Sequence, residues 1–177
     1  MLPKRTIVLG GTRSGKSSFA ERLVERFEKP KVYIATAQAF DDEMRARIAD
    51  HKNVRDSAWR LIETPMNAAG AFTDVRSDEV VLLDCATMWL SNQMLSDADI
   101  PTARDALLAA INACPGHVVT VSNEVGLGIV PENALARRFR DEQGSLNHWL
   151  AAQADLAVFV AAGLPLVLKG ALPEGMT

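Results

Sequence analysis

The stretch Thr6-Ile7-Val8-Leu9-Gly10-Gly11-Thr12-Arg13-Ser14-Gly15-Lys16-Ser17 decides the fold of this chain. Its first four residues read as a short buried strand. The next eight match G-x-x-x-x-G-K-[ST], and Ser18 to Val24 follow with the spacing of an amphipathic helix. Each fixed position has a mechanical reason. Glycines let backbone N–H groups wrap an anion, and the helix N-terminus adds partial positive charge. Lys16 would reach the β- and γ-phosphates and the Ser17 hydroxyl would sit on Mg²⁺. With Gly at about 7% of average composition, a chance match in a chain of this size is on the order of one in a hundred. A glycine turn that merely caps a helix has no need of a lysine at that place.

Working outward, strands and helices alternate. Lys31 to Ala37 is a compact apolar and β-branched run, which predicts a second buried strand after the loop helix. Asp41-Asp42-Glu43 begins a short charged helix in which Arg47, His51 and Arg55 are spaced by four, a plausible seat for phosphate. Ala58 to Pro65 reads as a strand closed by proline, and Met66 to Phe72 is helix-like. Glu79-Val80-Val81-Leu82-Leu83-Asp84 is a strand that ends in a carboxylate, where a phosphate-loop protein carries its Mg²⁺-associated acid. On its own such an aspartate is a commonplace turn residue.

Cys85 to Leu95 is compatible with a helix, residues 96–101 with a polar loop, and Thr102 to Cys114 with an amphipathic helix stopped by Pro115-Gly116. His117 to Ser122 is a further buried strand, which delivers Asn123 and Glu124 to the edge where ligands collect. A glycine-containing loop leads to Pro131. Glu132 to Ala154 reads as one long helix or two short ones, bearing Arg137, Arg138 and Arg140. Leu156 to Ala162 is the last buried strand, Leu164 to Lys169 can hairpin back as an edge, and the residues after Gly170 read as a disordered tail. Nearly continuous apolar strands alternating with helices predict a mostly parallel sheet covered on both faces. The expected fold class is therefore α/β, a P-loop NTPase (RecA-like) sheet in one domain spanning residues 1–170.

The composition excludes several classes. A chain of 177 residues with 48% hydrophobic and 23% charged residues and a net charge of -3 is an ordinary globular domain. It offers no electrostatic case for a nucleic-acid or membrane partner. Cys85 and Cys114 are too few for a disulfide framework and lack metal-site spacing. The opening Met-Leu-Pro-Lys-Arg leaves no room for an apolar secretion signal, so a reducing cytoplasm is the expected location.

The second half is more particular. Asp84-Cys85-Ala86-Thr87-Met88-Trp89-Leu90-Ser91-Asn92, Asn123-Glu124-Val125-Gly126-Leu127-Gly128-Ile129-Val130-Pro131, Arg138-Phe139-Arg140-Asp141 and Gly163-Leu164-Pro165-Leu166 occur in this order. Together they resemble the bifunctional adenosylcobinamide kinase/adenosylcobinamide-phosphate guanylyltransferase family of cobalamin biosynthesis, over residues 10–169. The resemblance implies two steps on one protein. Adenosylcobinamide is phosphorylated on its aminopropanol hydroxyl by ATP or GTP, and GMP is then transferred from GTP to that phosphate through a covalent GMP-histidine.

The position matching the family's histidine is His51. A neutral imidazole can attack the α-phosphorus and split one difficult transfer into two easier ones. Arg47 and Arg55 would offset charge developing on the phosphoryl oxygens. Without the resemblance, a surface histidine on an amphipathic helix is the plainer reading of the residue. The same matching implies nucleotide contacts from Gly10, Gly11, Thr12, Arg13, Ser14, Gly15, Lys16 and Ser17. Further contacts are implied from Ala35, Thr36 and Ala37, from His51, Lys52, Asn53 and Val54, and from Glu63 and Asp84, with Ser17 and Asp84 on Mg²⁺.

A carboxylate at Glu63 could accept two parallel hydrogen bonds from the guanine edge, or be a solvated strand-end acid. Thr12 and His148 depart mildly from the family pattern, where a smaller residue and a glutamine are expected. His117 and His148 are weaker nucleophile candidates than His51. The implied partners are GTP or ATP and a corrinoid, with a homotrimeric assembly. Two other readings keep the phosphate loop but give His51 nothing to do. One is a single-function kinase for another small hydroxylated metabolite, and the other is a P-loop regulatory ATPase or GTPase.

Overall fold

The computed structural model describes residues 3–38 and 58–176. Seven strands form one sheet: β1 (Arg5–Gly10), β2 (Lys31–Ala35), β3 (Trp59–Glu63), β4 (Val80–Asp84), β5 (His117–Asn123), β6 (Leu156–Ala161) and β7 (Leu164–Lys169). Their order across the sheet is β3-β2-β4-β5-β1-β6-β7. All neighbours are parallel except β6 and β7, which form the hairpin expected at the edge. The helices among the described residues are α1 (Lys16–Glu25), α2 (Ala86–Leu95), α3 (Ile100–Ala113) and α4 (Ala134–Gln153).

Side-chain alternation along the strands divides the core in two. Val8, Val80, Leu82, Val119, Val121 and Val158 point to the α1 face, where they pack on Phe19, Leu23 and Val24. Ile7, Leu9, Val81, Leu83 and Val118 point the other way, toward Trp89, Leu90, Leu107, Ile111 and Leu146 of α2, α3 and α4. Both faces of the central strands are covered, which is why they read as unbroken apolar runs. Completely buried leucines such as Leu82 and Leu83 contribute about 1.5–3 kcal/mol each by leaving water.

Several boundaries differ from the sequence reading. The stretch from Met66 to Phe72 forms only a 3-10 turn at Gly70–Phe72, so no full helix stands there. Helix α3 begins two residues early, at Ile100, because Pro101 falls in its first turn, where a missing N–H costs nothing. The loop helix, whose sequence reads as ending near Glu28-Lys29-Pro30, stops at Glu25. The late helix is a single one. The residues after Gly170, read as a free tail, lie against α1. Leu172 packs on that core, Met176 is buried in it, and Arg26 donates to the Gly175 carbonyl at 2.9 Å. Two apolar side chains in a short segment suffice to hold it. The segment holding Arg47, His51, Lys52, Asn53, Val54 and Arg55 lies outside the described residues.

Candidate functional site

The first turn of α1 is built for an anion. Its N-cap is Gly15, at φ 91°, with no side chain to cap the helix, and no acidic residue stands in the first turn. The free N–H groups and the positive end of the helix dipole are therefore left for a ligand. The starts of α2 and α4 contrast with it, whereas α3 also begins without a side-chain cap, at Asp99. Cys85 Sγ accepts from the Met88 N–H at the start of α2, and Asn133 Oδ1 accepts from the Ala136 N–H at the start of α4.

The loop itself is tightly seated. A Cβ on Gly10 would lie 2.5 Å from Ser14 Oγ and 2.6 Å from the Val160 carbonyl oxygen, so only glycine fits. The Ser14 N–H donates to the Gly11 carbonyl at 3.3 Å, and Arg13 takes a left-handed φ of 55°. Thr12 and Arg13 are exposed at its crest, and Ser17 is half-buried at the start of α1. Lys16 is half-buried too, and its ammonium donates to the Gly11 carbonyl at 3.1 Å. Burial pushes the Lys16 pKa down, while the neighbouring Cys85 and Asp84 pull it back up.

Register brings the other expected residues to this edge. Glu63 pairs with Ala35, Ala35 with Asp84, and Asp84 with Val121, which in turn pairs with Val8 beneath the loop. Asp84 follows Leu82 by two, so it faces the α1 side as Lys16 does. Glu63 is exposed at the end of the edge strand β3. Sequence-distant Glu63, Ala35 and Asp84 thus stand in one row at the C-terminal edge of the parallel strands, the edge where ligands bind in such sheets.

Thr36 has a structural role that sequence reasoning did not assign to it. Its buried hydroxyl donates to the Cys85 carbonyl at 2.7 Å and accepts from the Cys85 N–H at 3.0 Å, fixing the junction after Asp84. Asn92 Nδ2 donates to the carbonyls of Thr36 and Pro65, and Gln93 and Trp89 donate to the Met66 carbonyl. Helix α2 therefore clamps the ends of β2 and β3 to the end of β4. Ala37 leads out of that clamp and is half-buried. The Cys85 thiol, buried and beside Asp84, has its pKa pushed up to about 12 and is no nucleophile.

Two of the histidines, His117 and His148, lie among the described residues. His117 opens β5, at the end of the sheet opposite to the loop. Its Nδ1 is 2.9 Å from the Pro3 carbonyl and its ring stands 4.7 Å from Phe27. His148 lies on α4 against Trp149, five residues beyond the buried Gln143. His117 thus stands away from a nucleotide held at the loop. No cluster of three or more His, Cys, Asp or Glu side chains exists among the described residues. No described helix is long and apolar enough to cross a membrane.

Comparison with known proteins gives the fold and the family. Solved structures share the fold at low identity. A protein of Pyrococcus horikoshii OT3 superposes with a TM-score of 0.56 at 8% identity, covering 98% of this chain and 89% of that one. An ATPase of a bacterial type III secretion system gives 0.53 at 11% identity, covering 93% and 56%. The sequence relatives are much nearer. The bifunctional adenosylcobalamin biosynthesis protein CobP of Pseudomonas aeruginosa is 43% identical over 169 residues, covering 94% of this chain and 98% of the relative. The corresponding CobU proteins of Salmonella typhimurium and Escherichia coli are 41% and 40% identical, each covering 92% of this chain and 98% of the relative. The family model for cobinamide kinase / cobinamide phosphate guanyltransferase matches residues 6–168, and the chain belongs to that family.

Proposed function

We propose that the chain catalyses both steps of adenosylcobinamide activation at the C-terminal edge of its sheet. In the first, the aminopropanol hydroxyl oxygen bonds to the γ-phosphorus of ATP or GTP as the bond to the bridging oxygen breaks. The nucleoside diphosphate leaves and the hydroxyl proton passes to solvent. The observation that carries this reading is the uncapped α1 N-terminus, with Lys16 held at Gly11 and Asp84 on the same face. Loop N–H groups would bind the phosphates, and Lys16 would leave the Gly11 carbonyl to follow charge onto the β- and γ-oxygens.

Mg²⁺ keeps most of its waters and takes few protein ligands, so one hydroxyl and one carboxylate are a sufficient donor set. Ser17, at the start of α1, and Asp84, at the end of β4, fit that requirement. The ion would supply charge neutralisation between the β- and γ-phosphates.

In the second step His51 is the nucleophile. Its imidazole nitrogen bonds to the α-phosphorus of GTP and pyrophosphate leaves. A phosphate oxygen of the phosphorylated corrinoid then bonds to the same phosphorus, the P–N bond breaks, and the histidine is released. The loop positions a γ-phosphate for the first step, whereas the second needs an accessible α-phosphate. Either the nucleotide or the segment carrying His51 must therefore shift between them. Glu63 would accept from the guanine N1–H and N2–H₂ edge. Ala35, Thr36 and Ala37 would contact the nucleotide, as would Lys52, Asn53 and Val54. A homotrimer in the cytoplasm, acting on a corrinoid and no nucleic acid, completes the proposal.

The test is product analysis with adenosylcobinamide and GTP. Phosphorylated corrinoid should appear first and the GDP derivative second, with pyrophosphate released in equal amount to the latter. Phosphorylation with no GDP derivative would leave a single-function kinase.

A further inference from the structure

Asn123 is the last residue of β5 and pairs in register with Gly10, the first residue of the phosphate loop. The next N–H, that of Glu124, donates to the Gly10 carbonyl at 3.1 Å. Along β5, Val119 and Val121 lie in the α1-side core, whereas Val118 lies in the opposite one. Ser122 bonds to side chains of α2 and α4. Alternation therefore turns the Asn123 side chain to the α1 face, the face on which the loop stands.

The Asn123 backbone is clamped from the other face. Thr87 Oγ1 accepts its N–H at 2.7 Å, and Asn147 Nδ2 donates to its carbonyl at 3.0 Å. Ser122 Oγ donates to Asn147 Oδ1 at 2.6 Å, and Gln143 Nε2 donates to both at 2.9 Å. Ser122 and Gln143 are completely buried. Apolar side chains of similar size would fill this space with less desolvation, so the network is better explained by what it positions than by packing.

The carboxamide that it positions accepts no hydrogen bond from the described residues. Asn123 Oδ1 is buried with no hydrogen-bond partner, and so is Ser14 Oγ on the neighbouring loop. An unpaired buried polar atom is destabilising, a penalty that a ligand can remove. We propose that Asn123 is a recognition residue for the terminal phosphate of the nucleotide, its Nδ2–H donating to a γ-phosphoryl oxygen. The Thr87, Ser122, Gln143 and Asn147 network holds it there. A half-turn of the amide exchanges its two ends, so that the donor meets an oxygen which can only accept. The inference rests on the reading of the loop as a nucleoside triphosphate site.

The test is calorimetric titration of the wild type and Asn123→Ala with the β,γ-imido analogue of GTP and, separately, with GDP, both with Mg²⁺. A hydrogen bond to a charged group sets the scale. Asn123→Ala should bind the triphosphate analogue at least tenfold more weakly, with GDP affinity within about twofold of wild type. Asn123→Asp should lose more, by repulsion. Ser122→Ala should weaken the triphosphate several-fold alone, yet add nothing in the Asn123→Ala background. A cooperative thermal melt followed by circular dichroism shows that a variant is folded. If the alanine variant fails that check, Asn123→Ser is read the same way. Equal losses for both nucleotides, or none, overturn the inference while leaving the loop reading intact. An additive double variant overturns the positioning role of the network. Wild-type protein that binds neither nucleotide overturns the loop reading and the inference together.

Discussion

The N–H of Gly163, in the turn between β6 and β7, donates to the carbonyl of Ser14 in the phosphate loop at 2.8 Å. The two turn residues, Ala162 at φ 52° and Gly163 at φ 80°, both adopt left-handed conformations, as a two-residue hairpin requires. A Cβ on Gly15 would lie 3.1 Å from Gly163 Cα, so loop and hairpin are in contact with nothing to spare. The edge hairpin buttresses the nucleotide loop.

This contact separates two substitutions in the turn. Gly163→Val has open space around its new side chain but is forced into a left-handed φ. It should lose about 1–2 kcal/mol of stability and weaken nucleotide binding through the Ser14 contact. Ala162→Asn creates the preferred Asn-Gly pair and should gain about 0.5–1 kcal/mol. Denaturant melts of the two variants check both signs.

Lys16→Ala removes the one loop side chain able to follow charge onto the transferred phosphoryl group. Phosphorylation of adenosylcobinamide should fall by at least about a hundredfold, with the melting temperature little changed. Asp84→Asn should lose turnover more than stability and need more Mg²⁺ to reach its maximum rate. Steady-state rates against Mg²⁺ concentration test both, and full activity of Asp84→Asn at low Mg²⁺ would reduce Asp84 to a strand-end residue.

His117 makes a pH-dependent contribution of known sign. Burial lowers its pKa from the ordinary 6.5, so the folded state binds its proton less readily than the unfolded state does. Stability from this group is therefore full above about pH 6.5 and is lost as pH falls through the lowered folded value. His117→Phe, which keeps the ring packing on Phe27, should flatten the fall in melting temperature between pH 7.5 and pH 5.

Much of this was legible in the chain itself, for physical reasons that particular residues make plain. The loop from Gly10 to Ser17 is recognisable because its glycines and lysine are each demanded by phosphate geometry. The central strands are recognisable because burial on both faces leaves no polar position in β4 before Asp84. The edge strand β3 carries exposed Arg60 and Leu61, yet its proline stop and β-compatible residues marked it. What stayed hidden was polar and internal. Gln143 and Asn147 stand four apart on α4, nothing in the sequence singles them out, and they are buried against Ser122. Thr36 reads as part of the second strand and as a nucleotide contact, and its hydroxyl proves to be the latch on Cys85. No local pattern distinguishes a buried amide from an exposed one, because its partners come from other strands and helices. Met66 to Phe72 misled in the other direction, since helix-forming composition there is overridden by a tight turn in which Asn67 Oδ1 accepts from the Gly70 N–H.

The central claim is that one chain carries both a phosphate-loop kinase and a histidine that takes up GMP. The most direct measurement is incubation of wild type, His51→Ala and His148→Gln with GTP labelled in the α-phosphate, followed by denaturing electrophoresis. Wild type and His148→Gln should both carry an acid-labile, base-stable label. His51→Ala should carry none while still phosphorylating adenosylcobinamide. Covalent guanylate on His51→Ala would contradict the assignment of the nucleophile, and absence of label from the wild type would contradict the covalent route.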